Sequence, residues 1–258
     1  MAAPLALLDI ADGVATITLN RPERHNALVP ELLDDLIAAV RAASEADICA
    51  LVLTGAGRSF STGGDVAAFL EESGSDAGLH DYADRIVGRL NEAILALIDC
   101  PVPVIAAVNG PVTGGSAGLM FAADIVLMSE QAFLQPYYVE VGFAPDGGWT
   151  ALLPERIGAA RAVAIQALNR RIDAAEAKAL GLASDVVAPE RLGIAVADVC
   201  ETLRGKERGS LSATRRLVRD PARRSDIAER LEAERAAFCD LVCRTDVRNR
   251  MNKFVARP

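Results

Sequence analysis

The chain has 258 residues, 51% hydrophobic, 24% charged and 4% aromatic, and its 27 Lys and Arg against 35 Asp and Glu give a net charge of −8. That composition belongs to a folded protein with a substantial core rather than a disordered chain. The acidic balance argues against nucleic acid and anionic membrane as partners, and two histidines are too few for a multi-histidine metal site, so no metal is expected.

Leu5–Ile10 and Val14–Leu19 read as strands joined by a turn at Ala11-Asp12-Gly13. Pro30 opens a helical pattern with Leu32, Leu36, Ala39, Val40 and Ala43 on one face, and Glu31, Asp34 and Asp35 lie toward the positive end of its dipole. Ala50–Thr54 is a short buried strand broken by Gly55-Ala56-Gly57. A helix is expected over 81–98, and buried strands over 104–108 and 125–128. If a further strand runs through Val139 and Val141, Glu140 points away from its apolar neighbours. Strand, glycine-rich loop and helix recur in the order of an α/β core. Beyond about residue 150 the chain turns helical, with helices expected over 174–180, 191–203 and 225–241 and after Thr245.

Met1–Gly13 carries no positive charge ahead of its apolar stretch and does not read as a signal peptide. No apolar run reaches the ~18 residues that a membrane span requires. The five cysteines, Cys49, Cys100, Cys200, Cys239 and Cys243, are odd in number, scattered and without a CxxC. They read as reduced structural thiols, and the expected location is the cytoplasm. Between Leu203 and Arg224, Arg204, Lys206, Arg208, Arg215, Arg216, Arg219, Arg223 and Arg224 face only Glu207 and Asp220. A solvated helix face paired with acidic surface is a better reading of this stretch than a polyanion site.

Gly114-Gly115-Ser116-Ala117-Gly118 matches G-x-S-x-G, the nucleophile elbow of α/β-hydrolases. In those enzymes the triad histidine follows the serine, whereas His25 and His80 both precede Ser116, which argues against a Ser–His hydrolase. The same glycines have a second reading. Gly63-Gly64 and Gly114-Gly115 each follow a buried strand, where glycine lets the backbone approach a ligand and expose its N–H. Two such loops can aim two amides at one oxygen, or they can be ordinary strand–helix turns.

Several segments together carry a family likeness. They are Leu19-Asn20-Arg21-Pro22 with Asn26-Ala27-Leu28, Gly55 through Asp65, Pro103 through Gly110 running on to Gly114-Gly115, and Ala132-Phe133 with Gly142 through Gly148. In order and spacing they resemble the enoyl-CoA hydratase/isomerase (crotonase) superfamily along nearly the whole chain. The resemblance implies a crotonase-like spiral α/β core over 1–195 and a helical C-terminal trimerisation region over 196–258. It implies a homotrimer or a dimer of trimers, an acyl-CoA thioester substrate, a role in fatty acid metabolism, and no cofactor beyond the coenzyme A of that substrate. It makes Gly64 and Gly115 the oxyanion-hole amides. It places Arg24, Ala27, Ser61, Gly63, Asp65, Val66, Val112, Gly114 and Tyr138 around the substrate. It also likens the stretch from Ser73 to His80 to a loop over the substrate.

The sequence departs from the hydratases of that family, which use two glutamates to place and activate water. Gly118 and Tyr138 stand at those positions. Asp146 is the remaining carboxylate, where some isomerases of the family carry an acid/base, although Pro145-Asp146-Gly147 is also a turn sequence. The leading expectation is an enoyl-CoA double-bond isomerase using Asp146. A hydratase or thioester hydrolase with a differently placed group, and an acyl-CoA-binding protein without catalysis, remain as alternatives. The lysine-rich C-terminal coenzyme A contact common in that family has no direct counterpart here; Lys253 or Arg257 can substitute for it, and Arg24 or the basic stretch from Arg204 to Arg224 can meet the phosphates.

Overall fold

The computed structural model describes residues 3–256; Arg257 lies outside them. The strands are β1 (Ala6–Ala11), β2 (Val14–Leu19), β3 (Ala50–Gly55), β4 (Val104–Val108), β5 (Val112–Thr113), β6 (Ile125–Ser129), β7 (Phe133–Gln135), β8 (Ile172–Asp173) and β9 (Asp185–Val187). The helices are α1 (Pro30–Glu45), α2 (Val66–Glu71), α3 (Asp76–Asp99), α4 (Ala117–Phe121), α5 (Tyr138–Val141), α6 (Leu153–Ile157), α7 (Ala159–Ala167), α8 (Ala174–Ala179), α9 (Leu192–Arg204), α10 (Arg208–Val218), α11 (Pro221–Val242) and α12 (Thr245–Val255).

Six strands form one sheet in the order β1-β2-β3-β4-β6-β9, and β5-β7-β8 form a small second sheet. β1 and β2 make an antiparallel hairpin, and every later pair in the large sheet is parallel. The hairpin turns at Asp12 and Gly13, both with positive φ (51° and 72°), as a two-residue Asp-Gly turn requires. β3 is buried on both faces. Leu51 and Leu53 join the main core with α1, α3 and α4, while Ala50 and Val52 meet Ile105, Ala107, Leu127 and the α9 residues Leu192, Cys200 and Leu203. A near-continuous apolar run is what such a two-faced parallel strand needs.

Several expectations change. α9 runs unbroken through residues 195 and 196 and packs on the sheet. α3 starts at Asp76 rather than Asp81, because Ser75 caps it by accepting from Gly78 N at 3.0 Å. The loop expected up to His80 is therefore mostly helix, and His80 is exposed on it. Tyr138–Val141 is a helical turn, not a strand, bracketed by left-handed Tyr137 (φ 62°) and Gly142 (φ 93°). The five cysteines are all unpaired, and all but Cys243 are buried. Among the described residues no helix is long and apolar enough to cross a membrane.

The basic stretch is mostly paired with acidic side chains, at the surface for Arg208, Arg223 and Arg224 and largely covered for Arg215 and Arg219. Arg208 pairs with Asp47, Arg215 and Arg219 with Asp124, Arg223 with Glu155 and Arg224 with Asp99. Arg219 also donates to Ala122 O at 2.7 Å, which docks α10 on the core. None of these arginines borders the cleft described next, which removes them as phosphate contacts there.

Candidate active site

A cleft of about 990 Å³ opens where the loops after β3 and β4 meet, at the C-terminal ends of parallel strands. Both loops are held at the backbone. Ser61 and Val112 form a parallel bridge, with Ser61 N donating to Pro111 O at 3.1 Å and Thr113 N to Ser61 O at 3.1 Å. The buried Ser116 hydroxyl lies 2.9 Å from Ser61 O and 2.8 Å from Thr113 O. The serine of the apparent nucleophile elbow is thus a bolt between loops, its proton committed to main-chain carbonyls.

The bolt fixes two amides. Around Gly64, Leu28 N donates to Gly63 O at 2.7 Å and Asp65 N donates to Leu28 O at 3.1 Å. In an extended segment successive amides alternate in direction, so the Gly64 N–H points away from Leu28. Gly115 lies in the first turn of a 3-10 helix over Gly114–Ser116, where an N–H has no partner within the helix. Both glycines line the cleft. Gly114 is left-handed (φ 52°), and its carbonyl accepts from Trp149 Nε1 at 2.8 Å, so the buried tryptophan braces this loop.

Asp146 sits against Gly115. A Cβ on Gly115 would lie 2.9 and 3.0 Å from its two carboxyl oxygens. Asp146 is 7% exposed, yet it lines the cleft. The Tyr138 hydroxyl donates to Asp146 Oδ1 at 2.6 Å. Burial pushes the Asp146 carboxyl up to about 7, with Tyr138 pulling it down and the charge of Glu234 pushing it up. Burial and the neighbouring Asp146 hold the Tyr138 phenol well above its ordinary range, so it remains a donor.

At Gly118, where the family resemblance puts the first hydratase glutamate, backbone fills the space beside the helix. A Cβ on Gly118 would meet Gly147 O at 2.3 Å and Ile94 Cδ1 at 2.4 Å. The Asp146–Gly148 turn lies flat on the start of α4, and left-handed Gly147 (φ 61°) permits that contact. A glutamate side chain has no room there, and at the second position Tyr138 is tied to Asp146.

Of the residues expected around a substrate, Arg24, Ala27, Asp65, Val66, Gly114 and Tyr138 border the cleft; Ser61, Gly63 and Val112 do not. Those three lie behind its wall, because the bridge and the close Gly63–Thr113 approach use their backbone. Arg24 and Asp65 engage each other, with Arg24 Nη2 at 3.0 Å from Asp65 Oδ1 and Arg21 Nη1 at 2.9 Å from Oδ2. Burial alone would raise the Asp65 carboxyl, but the two guanidiniums outweigh it and the net shift is downward. The Arg24 side chain is still half exposed and borders the cleft. Lys253 does not reach the cleft, whereas Phe254 and Val255 do.

Sequence reasoning missed two groups. Phe69, Phe143 and Phe238 form an aromatic wall, with Phe143 and Phe238 centroids 4.7 Å apart. Glu234 is buried on α11, bound to the turn after Asp146. The helical stripe Ile227, Leu231, Glu234, Phe238, Val242 was its signal, a carboxylate on an apolar face.

The sequence profile of enoyl-CoA hydratase/isomerase matches residues 9–257. A protein described as a probable enoyl-CoA hydratase from Rhodobacter capsulatus is 39% identical over 181 residues, 69% of this chain and 67% of its own length. An enoyl-CoA hydratase structure from Bacillus halodurans superposes with a TM-score of 0.90 over 96% of this chain and 99% of its own, at 23% identity, which speaks for the fold alone. A monofunctional enoyl-CoA isomerase structure from M. smegmatis shares 32% identity over 84% of this chain and 92% of its own, with a TM-score of 0.70. The fold is therefore that of crotonase.

Proposed function

The chain belongs to the enoyl-CoA hydratase/isomerase family, and we propose that within it this protein is an enoyl-CoA double-bond isomerase with Asp146 as its single acid/base. The observation that carries this reading is a buried carboxylate bordering the cleft, pushed up to about 7 by burial and pressed against Gly115, in a chain with Gly118 and Tyr138 where the family resemblance puts the two hydratase glutamates.

The chemistry runs on this chain's own groups. A 3-enoyl thioester lies with its carbonyl oxygen on the Gly64 and Gly115 amides. The Asp146 carboxylate takes a proton from C2, the C–H electrons form a C1–C2 double bond, and the carbonyl oxygen takes the negative charge. Two preorganised amides stabilise that charge without titrating themselves. Asp146 then returns the proton to C4, the double bond comes to rest between C2 and C3, and the carboxylate is restored. A proton affinity near neutrality suits a group that must both take and give the proton. Tyr138 keeps the carboxylate turned, and the aromatic wall around Phe143 and Phe238 keeps the dienolate dry. Arg24 at the rim meets the coenzyme A phosphates. The protein works as a homotrimer or a dimer of trimers in the cytoplasm, on fatty acyl thioesters.

Asp146→Ala tests the assignment. Turnover of a 3-enoyl-CoA is expected to fall by at least ~100-fold with coenzyme A thioester binding retained; undiminished turnover removes Asp146 from the mechanism. The relative from Rhodobacter capsulatus is described as a probable hydratase. The same assay in heavy-oxygen water therefore reads the competing outcome directly, because only hydration or hydrolysis places solvent oxygen in the product.

A further inference from the structure

We propose that Glu234, which lies outside the cleft on α11, is a positioning residue for Asp146: its carboxylate grips the 148–151 turn and so holds Asp146 against Gly115. The catalytic consequence rests on the role given to Asp146 above; the structural claim does not.

Glu234 is 4% exposed, and each oxygen is bound. Oε2 accepts from Gly148 N at 2.8 Å. Oε1 accepts from Thr150 N at 2.7 Å, Thr150 Oγ1 at 2.6 Å and Ala151 N at 3.0 Å. All of these partners can act as donors, and both oxygens accept, so the site fits a carboxylate. A glutamine would turn an NH2 group toward either the Gly148 N–H or the Thr150 and Ala151 donors. Burial raises the Glu234 carboxyl, and those donors oppose the rise.

The grip begins two residues after Asp146. Gly147 (φ 61°) and Gly148 (φ 83°) are both left-handed, so the turn has little stiffness of its own. Tyr138 holds the Asp146 side chain and Gly147 packs on Gly115 and Gly118, while Glu234 is the side chain that grips the backbone on the far side of the turn. α11 is itself fixed on both sides of Glu234. One turn earlier, Leu231 O accepts from Asn91 Nδ2 of α3 at 3.0 Å; one turn later, Phe238 packs on Phe143 in the cleft wall. The anchor thus ties the acid/base to a rigid helix pair.

Glu234 also acts through its charge. The titratable groups acting on Asp146 among the described residues are Tyr138 from α5 and Glu234 from α11. A negative charge behind the turn disfavours a second one on Asp146. Neutralising Glu234 therefore lowers the Asp146 midpoint, an effect that a purely architectural residue would not produce.

The test is a carbon-13 NMR titration of labelled aspartate carboxyls, with Asp146 assigned as the resonance absent from Asp146→Asn. In Glu234→Gln the Asp146 midpoint is expected to fall by at least about half a pH unit. kcat is expected to drop by at least ~10-fold with KM nearly unchanged. A folded Glu234→Gln with the wild-type midpoint overturns the proposal, whether or not Asp146 proves catalytic. If Asp146 is catalytic, a wild-type kcat overturns it as well. Should Glu234→Gln not fold, Glu234→Asp decides: it keeps the charge and shortens the reach by one methylene. An unmoved midpoint with reduced kcat supports the proposal, and wild-type kcat overturns it. If Asp146 is not catalytic, the Glu234→Asp titration alone decides. A changed chemical shift for the Asp146 carboxyl supports displacement, and an unchanged one overturns it.

Discussion

Replacing Asp146 by Asn should stabilise the protein, and by an amount that depends on pH. An unfolded aspartate titrates near 3.8, whereas burial raises Asp146 to about 7 in the fold, with Tyr138 opposing and Glu234 reinforcing the shift. Below about pH 4 both states hold the proton, and the site costs nothing. Between about 4 and 7 the unfolded state has lost its proton while the folded state keeps it, so stability falls by ~1.4 kcal/mol per pH unit. Above 7 both states are ionised and the cost levels off at about 4 kcal/mol. Asn keeps the shape, still accepts the Tyr138 hydroxyl through Oδ1 and never ionises. Its advantage should therefore be negligible near pH 4 and grow by about 3 kcal/mol between about pH 5 and pH 8. Urea unfolding of both proteins across that range measures the difference. A gap that stays constant with pH, or that shrinks as pH rises, refutes the assignment of a buried proton to Asp146.

Gly115→Ala should place a methyl 2.7 Å from Leu90 Cδ2 and 2.9 Å from Asp146 Oδ1, displacing the carboxylate. Steady-state kinetics should show kcat reduced by at least ~100-fold, with a loss of about 1–3 kcal/mol in stability from overpacking; wild-type turnover would show that Asp146 need not sit there. Tyr138→Phe removes a hydrogen bond that favours the Asp146 carboxylate. The acid limb of the kcat/KM profile should move upward by about one pH unit, lowering activity at neutral pH, and a downward move would contradict the geometry.

The sequence determined the alternation of strands and helices, because burial on one or both faces writes itself directly into spacing. The doubly apolar run of β3 and the Asp12-Gly13 turn are examples. It determined the two glycine loops and the absence of both glutamates, since those are statements about residue identity. It left open whether Pro145-Asp146-Gly147 was a turn or a catalytic site. The fold makes it a turn that carries a buried carboxylate, pushed up to about 7. Pairings between distant parts of the chain were settled only in three dimensions. Ser116 bolts the loops after β3 and β4, Gly147 fills the space beside Gly118, and Glu234 reaches a turn that precedes it by more than eighty residues. Such contacts have no local periodicity to announce them. Burial, hydrogen-bond partners and charge proximity arise only when the chain has closed on itself, and here they leave a turn aspartate buried against Gly115 with its carboxyl raised toward neutrality.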